Sequence, residues 1–147
     1  MNHPIHSARL AIQKLLTEAL KSQSVDVLNW YSKEYASSTA VVIADVRGSV
    51  SRDRFAASKR LPFIEETDID IVIFPTGTEY NWDEESDKIL EVLDVCISTF
   101  AGNYTLGGDV TGVVRCQVES YTIGPEEGHL VGRITVLLQL RINRRTE

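Results

Sequence analysis

The chain is poor in the residues that staple, metallate or anchor a fold. Two cysteines, three histidines and one methionine stand among its 147 residues. Cys96 and Cys116 fall in apolar patterns, one helical and one extended. They read first as two buried small hydrophobes in a reducing compartment, and second as a pair or a reactive thiol. His3 and His6 sit near the start, and His129 has no Cys or His beside it at ligand spacing. A zinc site needs three or four convergent ligands, so no metal and no cofactor are expected. There is no Gly-x-Ser-x-Gly elbow and no Walker loop. No apolar run reaches the ~18 residues that cross a bilayer. The opening residues lack a basic and then apolar leader, so no signal peptide and no membrane partner are expected. Bases are also scarce, 15 against 21 acids, for a net charge of -6. That balance disfavours wrapping nucleic acid, which relies on Lys and Arg neutralising phosphates.

What is present suits one domain spanning 1–147. A chain of this length buries roughly 68–70% of the surface its unfolded form exposes, so it needs no staple. Residues from about Pro4 to Ser22 read as an amphipathic helix. Ile5, Ala8, Ile12, Leu15, Leu16 and Ala19 form its apolar stripe, and Arg9, Gln13, Lys14, Glu18 and Lys21 its polar side. Val25 to Tyr31 reads as a short strand or a packed loop. Ala40–Arg47 is β-branched and extended, and runs on toward Ser51 with Gly48 marking a bulge or bend. Ser51 to Pro62 reads as a long polar loop carrying Arg52, Arg54, Lys59 and Arg60. Phe63 to Phe74 is a strand with Ile69, Ile71 and Ile73 on one face and Asp68 and Asp70 on the other.

Asn81 caps a second helix whose buried stripe is Trp82, Ile89, Leu93, Cys96, Ile97 and Phe100, with Gly102 as its stop. Leu106-Gly-Gly-Asp109 is a turn. Val110 to Tyr121 and Leu130 to Ile142 alternate as two strands of a long hairpin, separated by Gly124-Pro-Glu-Glu-Gly128. Asn143–Glu147 reads as a polar tail. The sum is α+β: a mixed or antiparallel sheet of four to five strands, with two helices on one face and a long C-terminal β-hairpin.

Two constellations carry chemistry. Asp68-Ile-Asp70 puts two carboxylates on one strand face, with Gly48-Ser49 upstream. Nucleotidyltransferases of the polymerase-beta superfamily hold magnesium and phosphate with such a set, and "Arg47-Gly-Ser49 … Thr67-Asp-Ile-Asp-Ile-Val72" resembles them locally. Their third acid has only Glu119 as a stand-in here, and the plainer reading is the solvent face of an amphipathic strand. The second constellation is the charge layout. From Glu65 to Asp94 there are eleven acids and one base, Lys88, while bases gather in Arg47–Arg60 and Arg141–Arg145. Each block is ordinarily a solvated face. A chain that stacks on copies of itself could instead pair one block with the other, head to tail.

The order and wording of these elements resemble the tail terminator proteins of long-tailed bacteriophages, the lambda-type minor tail protein family. The resemblance rests on the opening helix "Ala8-Arg-Leu-Ala-Ile-Gln-Lys-Leu-Leu16", the strand Ala40–Arg47, and the strand "Asp68-Ile-Asp-Ile-Val-Ile-Phe74". It continues through the acidic-capped helix Asp83–Phe100 and the ending "Leu106-Gly-Gly … Glu119 … Gly132-Arg-Ile-Thr-Val-Leu-Leu-Gln-Leu-Arg141". It implies a non-catalytic virion protein, assembled in the host cytoplasm and placed in the neck region of the tail. It further implies a homo-hexameric ring that caps the head-proximal end of the tail tube, ends its polymerisation, and meets the head-tail connector. DNA would only pass through the lumen. Glu65, Glu66, Asp68 and Asp70 are candidates for lining that lumen. Arg52, Arg54, Lys59 and Arg60, with Glu126, Glu127 and His129 at the hairpin tip, are candidates for contacts with the tube or a neighbour. Another neck or tail-completion adaptor of the same fold is the alternative, and a nucleotidyltransferase-like enzyme using Asp68 and Asp70 stands behind it.

Overall fold

The computed structural model describes residues 4–23, 25–30, 39–51, 60–74, 82–103, 106, 113–126 and 129–145. Helix α1 (Pro4–Ala19) is followed by a 3-10 turn (Lys21–Gln23) and the strands β1 (Asp26–Asn29), β2 (Ala40–Ser51) and β3 (Arg60–Phe74). Helix α2 (Trp82–Gly102) then leads to β4 (Val113–Glu126) and β5 (His129–Arg145). The five strands form one sheet in the order β1-β2-β3-β5-β4. β1 runs parallel to β2, and the other pairs are antiparallel. The α+β class, the mixed sheet and the C-terminal hairpin are as the sequence patterns indicate.

The core lies between the helices and one face of the sheet. Ala8, Ile12, Leu16 and Leu20 recur four residues apart from α1 onward, and Ile89, Val92, Leu93, Cys96 and Phe100 face inward from α2. They meet Ile69, Ile71 and Ile73 of β3 and Ile134, Val136, Leu138 and Leu140 of β5, all fully buried. Each such side chain contributes about 1.5–3 kcal/mol of apolar burial. Cys96 and Cys116 are buried, unpaired thiols in this cluster, and desolvation pushes both up to about 12. They pack as hydrophobes and are inert as nucleophiles at neutral pH. On the opposite face a smaller apolar cluster joins Val42, Ala44, Val72 and Val131, with Leu28 and Phe74 against it. Among the described residues no helix is long and apolar enough to cross a membrane.

Strand ends differ most from expectation. The loop expected over Ser51–Pro62 loses both its ends to the sheet, since Ser51 closes β2 opposite Ile64, and Arg60, Leu61 and Pro62 open β3, while 52–59 lie outside the described residues. The expected tail from Asn143 likewise continues β5, with Pro62 opposite Asn143 and Arg60 opposite Arg145. These polar stretches show no alternation, but each supplies the other's ladder partners. The break expected over 124–128 is also tighter. Gly124, Pro125 and Glu126 belong to β4, and Glu126 pairs with His129. Helix α1 stops at Ala19, short of Ser22. The irregularity of β2 falls between Ile43 and Val46, not at Gly48. Asn81, Tyr31 and the turn at 107–109 lie outside the described residues.

Arg9 is the clearest reversal inside an element. Expected on the polar side of α1, it is only 2% exposed. The β2 irregularity explains why. Ala44 and Asp45 drop out of the ladder with β3. The Arg9 guanidinium donates to the carbonyl oxygen of Ala44 at 2.6 Å and to that of Ile43, while its Nε donates to Asn29 Oδ1 at 2.9 Å. Its Cζ lies 3.4 Å from the centre of the Trp30 ring. Trp30 takes a left-handed conformation (φ 71) and donates its own N–H to Ile43 O. One side chain thus fastens α1 to the end of β1 and to the irregularity within β2. Burial pulls its pKa down to about 10, opposed by the Asp45 carboxylate, so it stays charged at neutral pH.

Candidate functional site

The sheet face turned away from the helices gathers the charged residues. Asp68 and Asp70 alternate with Ile69 and Ile71, so a strand buried on one side must carry its carboxylates on the other. Arg47 pairs in register with Asp68 but reaches along the strand to Asp70. Its two terminal nitrogens donate to Asp70 Oδ2 at 2.6 Å and Oδ1 at 2.8 Å, and Thr135 Oγ1 is 3.4 Å from Oδ1. This fork holds the Asp70 carboxyl below its ordinary pKa, with partial burial opposing, and raises that of Arg47. Asp70 is therefore a neutralised charge. At the hairpin end Arg133 donates to both carboxylate oxygens of Glu126, at 2.8 and 2.9 Å.

Asp68 has a different environment. Its Oδ1 is buried without a hydrogen-bond partner among the described residues. Glu119 stands at the β4 irregularity between Val118 and Ser120, one strand beyond β5. Its carboxyl is pushed above the ordinary glutamate value, chiefly by the charge of Asp68, then by desolvation, a hydrogen bond with Asp68, and the charge of Glu66. Arg47 opposes the shift. In sequence, Glu119 is only a stand-in for the third acid beside Asp68 and Asp70. The bulge re-aims it, and a bulge has no signature in the alternation of β4.

These positions settle where the candidate residues lie. Glu66, Asp68 and Asp70 share the open face of β3, with Glu66 exposed and the other two half-buried. Glu65 is on β3 opposite Leu140, and Arg60 is at its start. Glu126 and His129 face each other in the hairpin register. Arg52, Arg54, Lys59 and Glu127 lie outside the described residues. Among the described residues no three His, Cys, Asp or Glu side chains converge as a cation site. Gly48 and Ser49 pair with Thr67 and Glu66 inside the β2–β3 ladder, whereas a phosphate-cradling Gly-Ser would sit on a turn.

A groove of about 830 Å³ opens between the C-terminal half of α2 and the edge strand β4, lined by Ile97, Phe100, Arg115, Cys116 and Val118. The fold and face together define an α+β domain with helices on one side and a charged sheet surface on the other. No protein-family model matches the chain, and no curated protein matches it. Among solved structures it is similar to a chain of the "Virion of native gene transfer agent (GTA) particle", at 12% identity and a TM-score of 0.49. That alignment covers 92% of this chain and 94% of the other.

Proposed function

We propose that this chain is a structural virion protein of a tailed phage or phage-like particle, a tail terminator acting as a ring without catalysis. In this reading a hexamer caps the head-proximal end of the tail tube, stops tube growth, and presents its far surface to the head-tail connector. Its place is the neck of the virion, after assembly in the host cytoplasm. The observation that carries the reading is the open sheet face. Glu66, Asp68 and Glu119 lie together there, while Asp70 is held by Arg47. A channel wall of this kind repels phosphates and lets DNA pass without sticking. The helix, strand and hairpin order that resembles tail terminators extends over the whole sheet.

Light scattering across concentration, with negative-stain images of the same sample, tests it. Six-membered rings, formed alone or on added tail tubes, are the expected result. A chain that stays monomeric with tubes present rejects the proposal, and a dimer or single bound subunit favours a neck or tail-completion adaptor. The nucleotidyltransferase reading has the partly unpartnered Asp68 in its favour. Against it stand Gly48-Ser49 in a paired strand and Asp70 locked by Arg47. Magnesium-dependent nucleotide binding, lost in Asp68→Asn/Asp70→Asn, is the result that would revive it.

A further inference from the structure

The β3–β5 register unites two basic blocks far apart in the sequence. Arg60 lies opposite Arg145, Leu61 opposite Arg144, and Ile64 opposite Arg141. The pairing of β2 with β3 ends at Ser51 and Ile64, and that of β4 with β5 ends at Val113 and Leu140. Residues 60–63 and 141–145 therefore form a two-stranded ribbon that no other described strand flanks. Such a ribbon is marginally stable alone, and like charges directly opposite weaken a strand pair further. An anionic partner would relieve both.

The same chain carries a surface of opposite charge. Asp83, Asp87, Glu91 and Asp94 are all exposed on α2. Their spacing of four, four and three residues puts them on one side of the helix. The start of α2 sits over the start of β5, where Glu85 Oε2 accepts the Leu130 N–H at 3.3 Å. From Leu130 to Arg141 is roughly 36 Å along an extended strand. The stripe thus begins at the far end of β5 from the ribbon and runs toward the middle of that strand, so Asp83 and Arg141 of one copy are beyond each other's reach. Five ribbon residues span roughly 16 Å, and the stripe from Asp83 to Asp94 spans roughly 17 Å of helix.

We infer that the basic ribbon of one copy docks along the acidic stripe of α2 on a second copy. The contact is heterologous, joining unlike patches, and so propagates until it closes on itself. It rests on the ring-forming reading and specifies which elements meet. It also predicts assembly that weakens with salt, because exposed charges are screened beyond ~8–10 Å at 0.1–0.15 M ionic strength.

The test is mixing. Arg141→Gln/Arg144→Gln/Arg145→Gln removes most of the ribbon's charge, and Asp87→Asn/Glu91→Gln removes the middle of the stripe's at exposed helix positions. Each variant alone is expected to self-associate at least tenfold more weakly than the unaltered chain by sedimentation. Their equimolar mixture is expected to form dimers that grow no further, since each dimer keeps one intact junction and two disabled ends. Circular dichroism checks folding, and the milder Arg144→Gln/Arg145→Gln serves if the triple variant unfolds. Assembly of either variant as well as the unaltered chain overturns the inference and leaves the ring standing. So does a mixture that recovers no dimers. Ribbon variants that keep self-association but lose binding to a short DNA duplex would assign the ribbon to phosphates instead. An unaltered chain that stays monomeric overturns this inference and the ring together.

Discussion

Gly132 of β5 leaves room for no side chain beneath Ile89 of α2. A Cβ on Gly132 would stand 2.7 Å from Ile89 Cγ2 and 3.5 Å from two atoms of Ile73. Ile89 is β-branched and fully buried, so its methyl has little room to turn aside. Gly132→Ala should therefore destabilise the fold by about 1–3 kcal/mol, the usual cost of overpacking a closed core. Urea unfolding of the two proteins checks this. The double variant Gly132→Ala/Ile89→Ala should lose less than the sum of the two single losses, since the shortened side chain vacates the clash.

Arg9 joins three elements through a planar fork. Arg9→Met keeps the length of the side chain and removes its donors, leaving Ala44 O and Asn29 Oδ1 without that partner. The expected loss is about 2–3 kcal/mol, the range for hydrogen bonds to a charged group. Arg9→Lys should restore less than half of it, because one ammonium cannot span the Ile43 and Ala44 carbonyls and still lie flat on Trp30. Urea midpoints rank the variants, and tryptophan fluorescence should report the unstacked indole.

The Arg47–Asp70 pair has a defined pH signature. Asp70 is held below its ordinary pKa, so the pair stabilises the fold above that ordinary value. The contribution disappears as pH falls through the lowered one. Arg47 is 54% exposed, and solvent screening keeps the effect at about 1 kcal/mol or less. Arg47→Ala should lower the urea midpoint at pH 7 and leave it unchanged once Asp70 is protonated. An equal loss at both pH values would mean that packing, and not charge, is what Arg47 contributes.

Glu119 works in the opposite direction. Its pKa is raised, so its protonated form favours the fold at acidic pH, and that advantage is lost as pH rises through the raised value. At neutral pH it repels Asp68 and Glu66. Glu119→Gln should raise the urea midpoint at pH 7 and lose that gain toward pH 4. Titration of the Glu119 carboxyl by NMR in the Asp68→Asn variant should show its pKa moving back toward the ordinary value.

The elements whose faces differ in polarity could be read directly from the chain. Ile69 and Ile71 alternate with Asp68 and Asp70, and Ile134 through Leu140 alternate with Thr135, Leu137 and Gln139, so both strands announce their buried side. Sheet order could not be read that way. Nothing in the alternation of β5 says that it lies between β3 and β4, and the union of Arg60 with Arg145 follows only from that order. Arg9 misled for a related reason. Its acceptors are carbonyls freed by an irregularity more than thirty residues away in β2. Helical spacing records which residues share a face, not which distant backbone needs donors. Glu119 was undervalued on the same ground, since a bulge brings it to Asp68.

The strand order also sets a sequence of events in folding. β5 follows every other element in the chain, yet it sits between β3 and β4 and gives the core Ile134, Val136, Leu138 and Leu140. Until it arrives, β3 offers an open edge of Ile69, Ile71 and Ile73, and β4 has no described partner at all. Pairings this distant in sequence form slowly, and exposed edges of this kind favour association between unfinished chains. The protein is thus most vulnerable to aggregation just before its last strand is inserted, and slowing that insertion should cost soluble yield before it costs final stability.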